Sequence, residues 1–338
     1  MDPVSQGVVG AVLAQTRGRK RELAKAAVIG AIAAMAPDLD VLIQSADDSL
    51  LALEFHRQFT HSILFVPLGG LLCSLFLYPL LAKRWGLGYA QTLVWCIIGY
   101  ATHGMLDGCT SYGTQLLWPL SNQRFSWDII SIIDPLFTLP LLAFCALAAW
   151  KQSRNYVKLA LLWGGLYLTF GYYQHTQAIE QGHELAAARG HEPLRLEAKP
   201  SFANLLVWKV IYETGDRYYV DAIRPGWPGK QHWPGQSIPK LDIARDLPWL
   251  DADSQQAIDI ERFRWFSAGY LAIDPDKPNR VVDMRYSLLP HQIKALWGIQ
   301  LTPGVAADQH ATYITQRGDS RSALGTLWQM IWRDADKP

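Results

Sequence analysis

Up to about residue 180 the apolar positions come in long unbroken runs, and after it they come in short alternating ones. Residues 62–82, 87–106 and 159–179 contain no Asp, Glu, Lys or Arg. Each is about 20 residues long, and a helix of roughly that length spans the ~30 Å hydrocarbon core of a bilayer. These three stretches therefore predict transmembrane helices. Pro135 to Trp150 is also uncharged, and its apolar pattern begins earlier, at Ile129, which predicts a fourth. Two shorter arms precede them, residues 3–16 and 23–36, rich in Gly and Ala and separated by Arg17-Gly18-Arg19-Lys20-Arg21. They read as a helical hairpin whose arms are short for a full span and whose small side chains suit close packing in a membrane. Pro37 stops the second arm, and residues 41–60 read as a mixed loop or short helix.

Beyond residue 180 the pattern changes. Residues 180–200 are charged with a helical pattern. Residues 204–224 alternate aromatic and β-branched positions around Thr214-Gly215-Asp216, which predicts a β-hairpin. A Pro/Gly/Trp loop follows at 225–239, then one or two short helices within 241–262. Residues 263–273 and 280–288 predict another pair of strands, and 292–301 and 311–316 extend the strand pattern. The expected architecture is a mainly α membrane protein. A bundle of about six helices, the first two short, occupies residues 1–180, and a C-terminal α+β soluble domain occupies 181–338.

Composition agrees with a membrane location: half the residues are hydrophobic and 18% are charged, low for a soluble chain of this size. A net charge of +1 gives no electrostatic case for nucleic acid. The four cysteines form no disulfide framework: Cys73, Cys96 and Cys145 lie in apolar runs, and Cys109 stands alone among polar residues. The N-terminus lacks the pattern of a secretory signal, so the membrane segments are expected to do the targeting. Basic residues mark the turns at 17–21, at Lys83-Arg84 and at Lys151, Arg154 and Lys158. The positive-inside rule puts these turns in the cytoplasm. Asp38, Asp40, His56, His61, His103, Asp107, Asp128, Asp134 and His175 then fall at the outer ends of their segments, and the C-terminal domain is expected to be extracytoplasmic.

The polar residues at those ends carry the candidate chemistry. Asp38 and Asp40, one residue apart after Pro37, can bind one cation or bridge two, or simply end a helix in solvent. His56-Arg57-Gln58-Phe59-Thr60-His61-Ser62 sits at the mouth of an apolar run. Its two histidines are not at i, i+4 spacing, so a loop entering a helix fits them better than one helical face. Arg57 can hold an anionic group by a two-pronged contact, while Thr60 or Ser62 can cap the following helix. His103 and Asp107 share a helical face at i, i+4, and ionisable groups inside a membrane are costly enough to suggest function over a structural His–carboxylate bond. Asp134, before Pro135, reads as a helix cap. Asp128 reads as a ligand, a carboxylate orienting a histidine, or a surface charge, and His175 as ligand or interfacial residue.

The chain resembles a known family through Pro37-Asp38-Leu39-Asp40, His56 to Ser62 and His103-Gly104-Met105-Leu106-Asp107. These are similar to the motifs of the YdjM-like bacterial inner-membrane-associated proteins, for which a metal-dependent hydrolase activity is inferred. The resemblance covers residues 1 to about 180. It implies a multi-pass protein of the bacterial inner membrane, with Asp38, Asp40, His56, His61, His103 and Asp107 as metal ligands or their immediate support. In one place the chain departs from the family: members usually carry a His near the N-terminus, where this sequence has Ser5-Gln6. The expected function is metal-dependent hydrolysis at the outer face of the inner membrane, on a lipid ester or phosphoester. Asp40 or Asp128 would take a proton from water, and Arg57 would face substrate charge. Zinc suits His with Asp, while manganese or magnesium suits a carboxylate-rich site. Two other readings stand beside it: a non-catalytic membrane scaffold with a structural metal, and a transporter whose polar residues line an ion path.

Overall fold

The computed structural model describes residues 1–226, 229–316 and 318–333, and the chain divides into two compact units. Unit 1 comprises Met1–Leu42, Phe55–Tyr172 and Phe202–Asn204; unit 2 comprises Ile43–Glu54, Tyr173–Ser201 and Leu205–Pro338.

Unit 1 is a helix bundle. The predicted hairpin forms as α1 (Pro3–Gln15) and α2 (Leu23–Met35). Asp2 caps α1, accepting hydrogen bonds from Val4 N and Ser5 N. Such a cap satisfies amide groups that the first helical turn leaves unpaired. After α2 a tight 3₁₀ stretch, Ala36–Leu42, carries Asp38 and Asp40. A short helix α3 (Leu51–Phe55), all but its last residue in unit 2, leads back to a 3₁₀ turn of unit 1, Phe59–His61. The apolar run then becomes α4 (Val66–Leu77), extended by a π-helical turn at Tyr78–Ala82. α5 (Tyr89–Gly108) carries His103 and Asp107 near its end, α6 is Pro135–Lys151, and α7 is Arg154–Ala188, of which the part up to Tyr172 belongs to unit 1 and the rest to unit 2.

Of the expected spans, one helical stretch among the described residues, Ile63–Ala82, is long and apolar enough to cross a membrane by length and composition. The other segments are helical, but their apolar character is diluted or cut short. α5 interleaves Gln91, Thr92, Thr102, His103 and Asp107 among its apolar residues, and α6 has 17 residues. Unit 1 nevertheless turns large apolar side chains outward on several helices. Leu68, Leu75 and Phe76 on α4, Leu136 and Leu139 on α6, and Leu162 and Leu166 on α7 are all exposed.

The backbones of α1, α2 and α5 approach closely because glycines face one another. A Cβ on Gly30 would lie 2.5 Å from Gly10 O, and one on Gly99 would lie 2.4 Å from Gly30 O. At the end of the bundle carrying the basic turns, Lys25 Nζ donates to Trp85 O at 2.8 Å and an Arg154 guanidinium nitrogen donates to Gly18 O at 2.6 Å. Turns 17–21, 83–86 and 151–158 therefore meet at one end. The start of α1 and the ends of α2 and α5 lie at the other.

Unit 2 contains two antiparallel sheets. The first runs β1 (Arg195–Pro200), β2 (Trp208–Glu213), β3 (Arg217–Arg224) and β4 (Gln231–Trp233), with β5 (Ser237–Pro239) also paired to β3. The hairpin predicted within 204–224 is β2–β3, with Tyr212 opposite Tyr219 and their rings stacked. After α8 (Ile243–Asp246) and α9 (Gln255–Phe266) comes the second sheet, β6 (Leu271–Asp274), β7 (Lys277–Asp283), β8 (Trp297–Gln300) and β9 (Thr312–Thr315), in sequence order. Ile211, Tyr218 and Val220 of the first sheet pack on Tyr270, Ala272 and Val282 of the second. A last helix, α10 (Ser320–Trp332), covers Val207 and Ala222.

Three local readings of this part need correction. Residues 180–200 are not one helix, because α7 ends at Ala188 and Arg195–Pro200 pairs with β2. The loop at 225–239 contributes β4 and β5, short edge pairings that its Pro and Gly content masked; Trp227 and Pro228 lie outside the described residues. Phe263–Phe266 closes α9 instead of opening a strand, since Phe263 and Phe266 share a buried helical face.

Candidate metal centre

Four donor-bearing side chains converge at the end of unit 1 opposite its basic turns. Asp38 comes from the stretch after α2, His61 from the turn before α4, and His103 and Asp107 from the last turns of α5. One donor atom from each lies within 4.8 Å of the others. The Nε2 atoms of His61 and His103 face each other at 2.9 Å. Asp38 Oδ1 lies 3.5 Å from the first and 3.2 Å from the second, and Asp107 Oδ2 lies 3.4 and 3.8 Å from them. His61, His103 and Asp107 are buried, whereas the Asp38 side chain is 27% exposed.

The hydrogen bonds behind these atoms leave the donors pointing inward. His103 Nδ1 lies 2.5 Å from Ala34 O, so Nδ1 carries the hydrogen and Nε2 presents a lone pair. His61 Nδ1 is 2.9 Å from Thr60 Oγ1 and 3.2 Å from Asp40 Oδ2. Two Nε2 lone pairs opposed at 2.9 Å repel unless a proton or a cation lies between them. Burial alone lowers the pKa of His61, but its contacts with Asp107, Asp38 and Asp40 more than offset this and push it up to about 10. Burial works to raise Asp38, but the imidazoles of His103 and His61 against it hold its carboxyl well below the usual range. The buried Asp107 Oδ2 accepts no hydrogen bond. Its charge is countered by the Arg57 guanidinium, whose Nε lies 3.1 Å away, and its remaining lone pair faces the two imidazoles.

Asp40 stands behind this group. Its carboxylate receives Thr60 Oγ1 at 2.7 Å and Arg57 N at 3.1 Å, and its Oδ1 lies 2.8 Å from His56 Nδ1. Asp38, Asp40 and His56 form a second set of close donors that shares Asp38 with the first. Arg57 is buried and adopts a positive φ of 66°, a backbone conformation that costs energy for a non-glycine residue. Its Nε lies 3.1 Å from Asp107 Oδ2, its Nη1 donates to Thr110 Oγ1 at 3.2 Å, and its guanidinium sits over the Tyr112 ring. The guanidinium is thus engaged within the protein.

Gln6, the position where the sequence departs from the YdjM-like pattern, is in the site. It is fully buried, its Nε2 donates to Asp107 Oδ1 at 2.8 Å, and its Oε1 has no hydrogen-bond partner. The Met1 ammonium also meets Asp107 Oδ1. Thr110, Tyr112 and the Ala34 carbonyl were not singled out from sequence. Thr110 and Tyr112 follow Asp107 by three and five residues, and that proximity was the available signal.

The remaining candidates lie elsewhere. Asp128 is buried at a positive φ on a loop tied to α5 through Trp127 N to Gly108 O and Ile129 N to Cys109 O, and it belongs to neither close donor group. Asp134 caps α6, accepting from Phe137 N at 3.2 Å and from Tyr167 Oη at 2.7 Å. Ser62 caps the turn after it through Leu64 N, while Thr60 serves Asp40. His175 belongs to unit 2, against the Trp208 ring.

The family model described as YdjM inner membrane protein matches residues 1–178. The chain belongs to the YdjM inner membrane protein family. The YdjM match includes every residue of both donor groups. Among relatives, "Uncharacterized protein YfhP" of Bacillus subtilis strain 168 is 23% identical over 287 residues, 81% of each chain. "Inner membrane protein YbcI" of Escherichia coli strain K12 is 32% identical over 108 residues, 30% of this chain and 60% of its own. No solved structure matches the chain.

Proposed function

We propose that this YdjM-family chain is a multi-pass inner membrane protein whose unit 1 holds a divalent cation and catalyses hydrolysis of a lipid ester or phosphoester at the outer membrane face. The carrying observation is the convergence of two imidazole nitrogens and two carboxylate oxygens from three separate segments onto one point. A four-coordinate ion with arms of about 2.1 Å needs donors about 3.4 Å apart. The five separations that involve an imidazole nitrogen run from 2.9 to 3.8 Å, and all the donors lie within 4.8 Å of one another. Two nitrogens with two oxygens favour zinc over magnesium, which prefers an all-oxygen, six-fold shell. The orientation rests on the meeting of the three basic turns at the end away from the donors, and the multi-pass reading on the outward leucines of α4, α6 and α7. On that reading unit 2 follows an outer helix end and is extracytoplasmic.

A cation held here would polarise the scissile bond and acidify a bound water. The chain's own residues supply the rest. His61 is oriented through Nδ1 by Asp40 and Thr60, and His103 by the Ala34 carbonyl. Arg57 offsets the charge of Asp107 and fixes its carboxylate. Asp38 is the partly exposed donor and marks the side from which a substrate enters. His56, with a side chain 34% exposed and its Nδ1 set by Asp40, is the group available to accept or return a proton at Nε2. Asp40 then acts by orientation, since its oxygens already serve four partners.

One observation favours the second reading, a non-catalytic protein with a structural metal: three of the four donors are buried, and a structural site is closed where a catalytic one keeps an open position. Metal analysis of the detergent-purified protein, with a screen of lipid esters and phosphoesters, separates the readings. Stoichiometric metal with turnover that is lost in Asp107→Asn supports hydrolysis. Metal that stays bound and is not exchanged by chelator, without turnover, supports the structural role. A protein that binds no metal defeats both.

A further inference from the structure

The donor groups flank an insertion. The chain leaves unit 1 after Leu42, contributes Ile43–Glu54 to unit 2, and re-enters unit 1 at Phe55. Both stems of this twelve-residue excursion are site residues, Asp38 and Asp40 before it and His56 and Arg57 after it. The Asp40–His56 hydrogen bond of 2.8 Å closes its base. Within unit 2 the excursion is held at Asp48 to Leu50 and again at Glu54, its last residue. Arg262 of α9 donates through Nη1 and Nη2 to the two Asp48 oxygens at 3.0 and 2.8 Å, and through Nε to Glu54 at 2.6 Å. The same guanidinium reaches buried Asp259 at 2.8 Å, which in turn faces His310 at 3.0 Å and accepts from Ala311 N at 2.8 Å. Ser49 Oγ donates to Ala311 O and accepts from Tyr313 N, and Leu50 is fully buried.

We propose that Arg262 is a positioning residue for the metal centre, acting from unit 2 through residues 43–54. This rests on the metal reading of the site above. Closing a loop costs conformational entropy that falls on whatever its ends must align. Here the ends must align Asp40 with His56 and, one residue on, Arg57 with Asp107. One guanidinium that holds Asp48 by a forked contact and Glu54 beside the second stem removes that freedom in advance, and a forked contact fixes direction as well as distance. The C-terminal unit thereby acquires a function: it holds the stems of the excursion in register, and a change in α9 is transmitted to the cation site along the chain itself.

The test compares Arg262→Ala with Arg264→Ala in the full-length protein in detergent. Arg264 lies on the same helix and pairs with exposed Glu261 at 3.0 Å, away from the excursion. Zinc affinity is read by competition with a chromophoric chelator, and backbone exchange by hydrogen–deuterium mass spectrometry over 43–61. Arg262→Ala is expected to weaken zinc about 10-fold, the range of residues that support ligands, and to raise exchange through 55–61. Arg264→Ala matches the wild type, and Arg262→Lys, with one ammonium in place of a fork, falls between. Wild-type zinc binding with equal affinity in Arg262→Ala overturns the proposal. If the wild type binds no zinc, the metal reading fails separately; unchanged exchange over 55–61 in Arg262→Ala then overturns the positioning role, and raised exchange upholds it. Should Arg262→Ala lose its β-sheet signal, the Asp48→Asn/Glu54→Gln double variant removes the same grip from the loop side under the same criteria.

Discussion

The two units treat buried charge in opposite ways. In unit 2, carboxylates are matched by guanidinium groups: Asp283 by Arg285 at 2.7 Å, Asp221 by Arg189 at 2.6 Å and Glu213 by Arg195 at 2.7 Å. In unit 1, Asp38, Asp40 and Asp107 gather around imidazoles, with Arg57 and the Met1 ammonium both directed at Asp107. Buried ion pairs need good geometry and further hydrogen bonds to offset their desolvation. In these three pairs unit 2 meets that condition by itself. Unit 1 leaves a carboxylate oxygen without a hydrogen bond and two imidazole nitrogens face to face, an arrangement that a cation would complete.

The difference can be broken at its strongest point by His103→Ala. Removing one of four donors is expected to reduce zinc affinity by more than about 100-fold, beyond the range for residues that only support ligands. Metal content after gel filtration and chelator competition measure this; retention of stoichiometric zinc would remove the contrast between the units. In unit 2, Asp283→Ala should behave as a stability lesion. It leaves the buried Arg285 guanidinium without its carboxylate and should cost about 3–5 kcal/mol by urea denaturation. An effect below about 1 kcal/mol would mean that the pair is not the anchor described here.

Lys209 sharpens the contrast through pH. Burial pushes its ammonium down to about 7, only partly countered by Asp283, while its Nζ donates to Ser287 Oγ and Gln292 O. A lysine depressed on folding binds fewer protons folded than unfolded between that value and its ordinary pKa of about 10.4. Stability must therefore rise with pH through this window. Between pH 7 and 9 the gain attributable to Lys209 should be about 2 kcal/mol, by the linkage relation of 1.36 kcal/mol per unit. Urea midpoints of wild type and Lys209→Met measure it. Equal slopes in the two proteins would show that the group is not depressed. The smallest effect belongs to Thr60→Val, which keeps volume but removes the hydroxyl between Asp40 and His61. Zinc affinity should fall about 10-fold with little change in thermal stability. Unchanged affinity would show that Asp40 alone orients the ring.

Much of unit 1 was legible in the sequence, because uncharged runs bounded by basic turns or Pro fix where helices start and stop. The arms 3–16 and 23–36 fall within a residue or so of α1 and α2. Membrane character was harder to read. A charge-free run counts the same whether its positions are Leu or Thr, and α5 and α7 mix the two. Asp38, His61, His103 and Asp107 could be grouped because each stands at a segment end, and segment ends on one side of a bundle meet. The finer division of labour could not be read in that way. Whether Arg57 faces a substrate or Asp107 depends on one positive φ, and whether Asp40 touches an ion or holds histidines depends on which way a 3₁₀ turn points. The excursion of residues 43–54 into unit 2 left no local signal either, since Asp48 and Glu54 look like ordinary solvated acids until Arg262 is folded against them.

The glycine contacts between α1, α2 and α5 bear on how the site can change. Gly30 touches the backbones of two other helices, and a Cβ on Gly104 would fall 2.2 Å from the carbonyl oxygen of His61. The helices that carry the donors are thus set to one another by main chain and by the methyl groups of Ala14 and Ala34. Mutational drift at these positions has no small steps available: even alanine would have to push a helix aside and carry a donor with it. A saturation library should find the donors' spacing guarded as strictly at residues that bear no functional group as at the donors themselves.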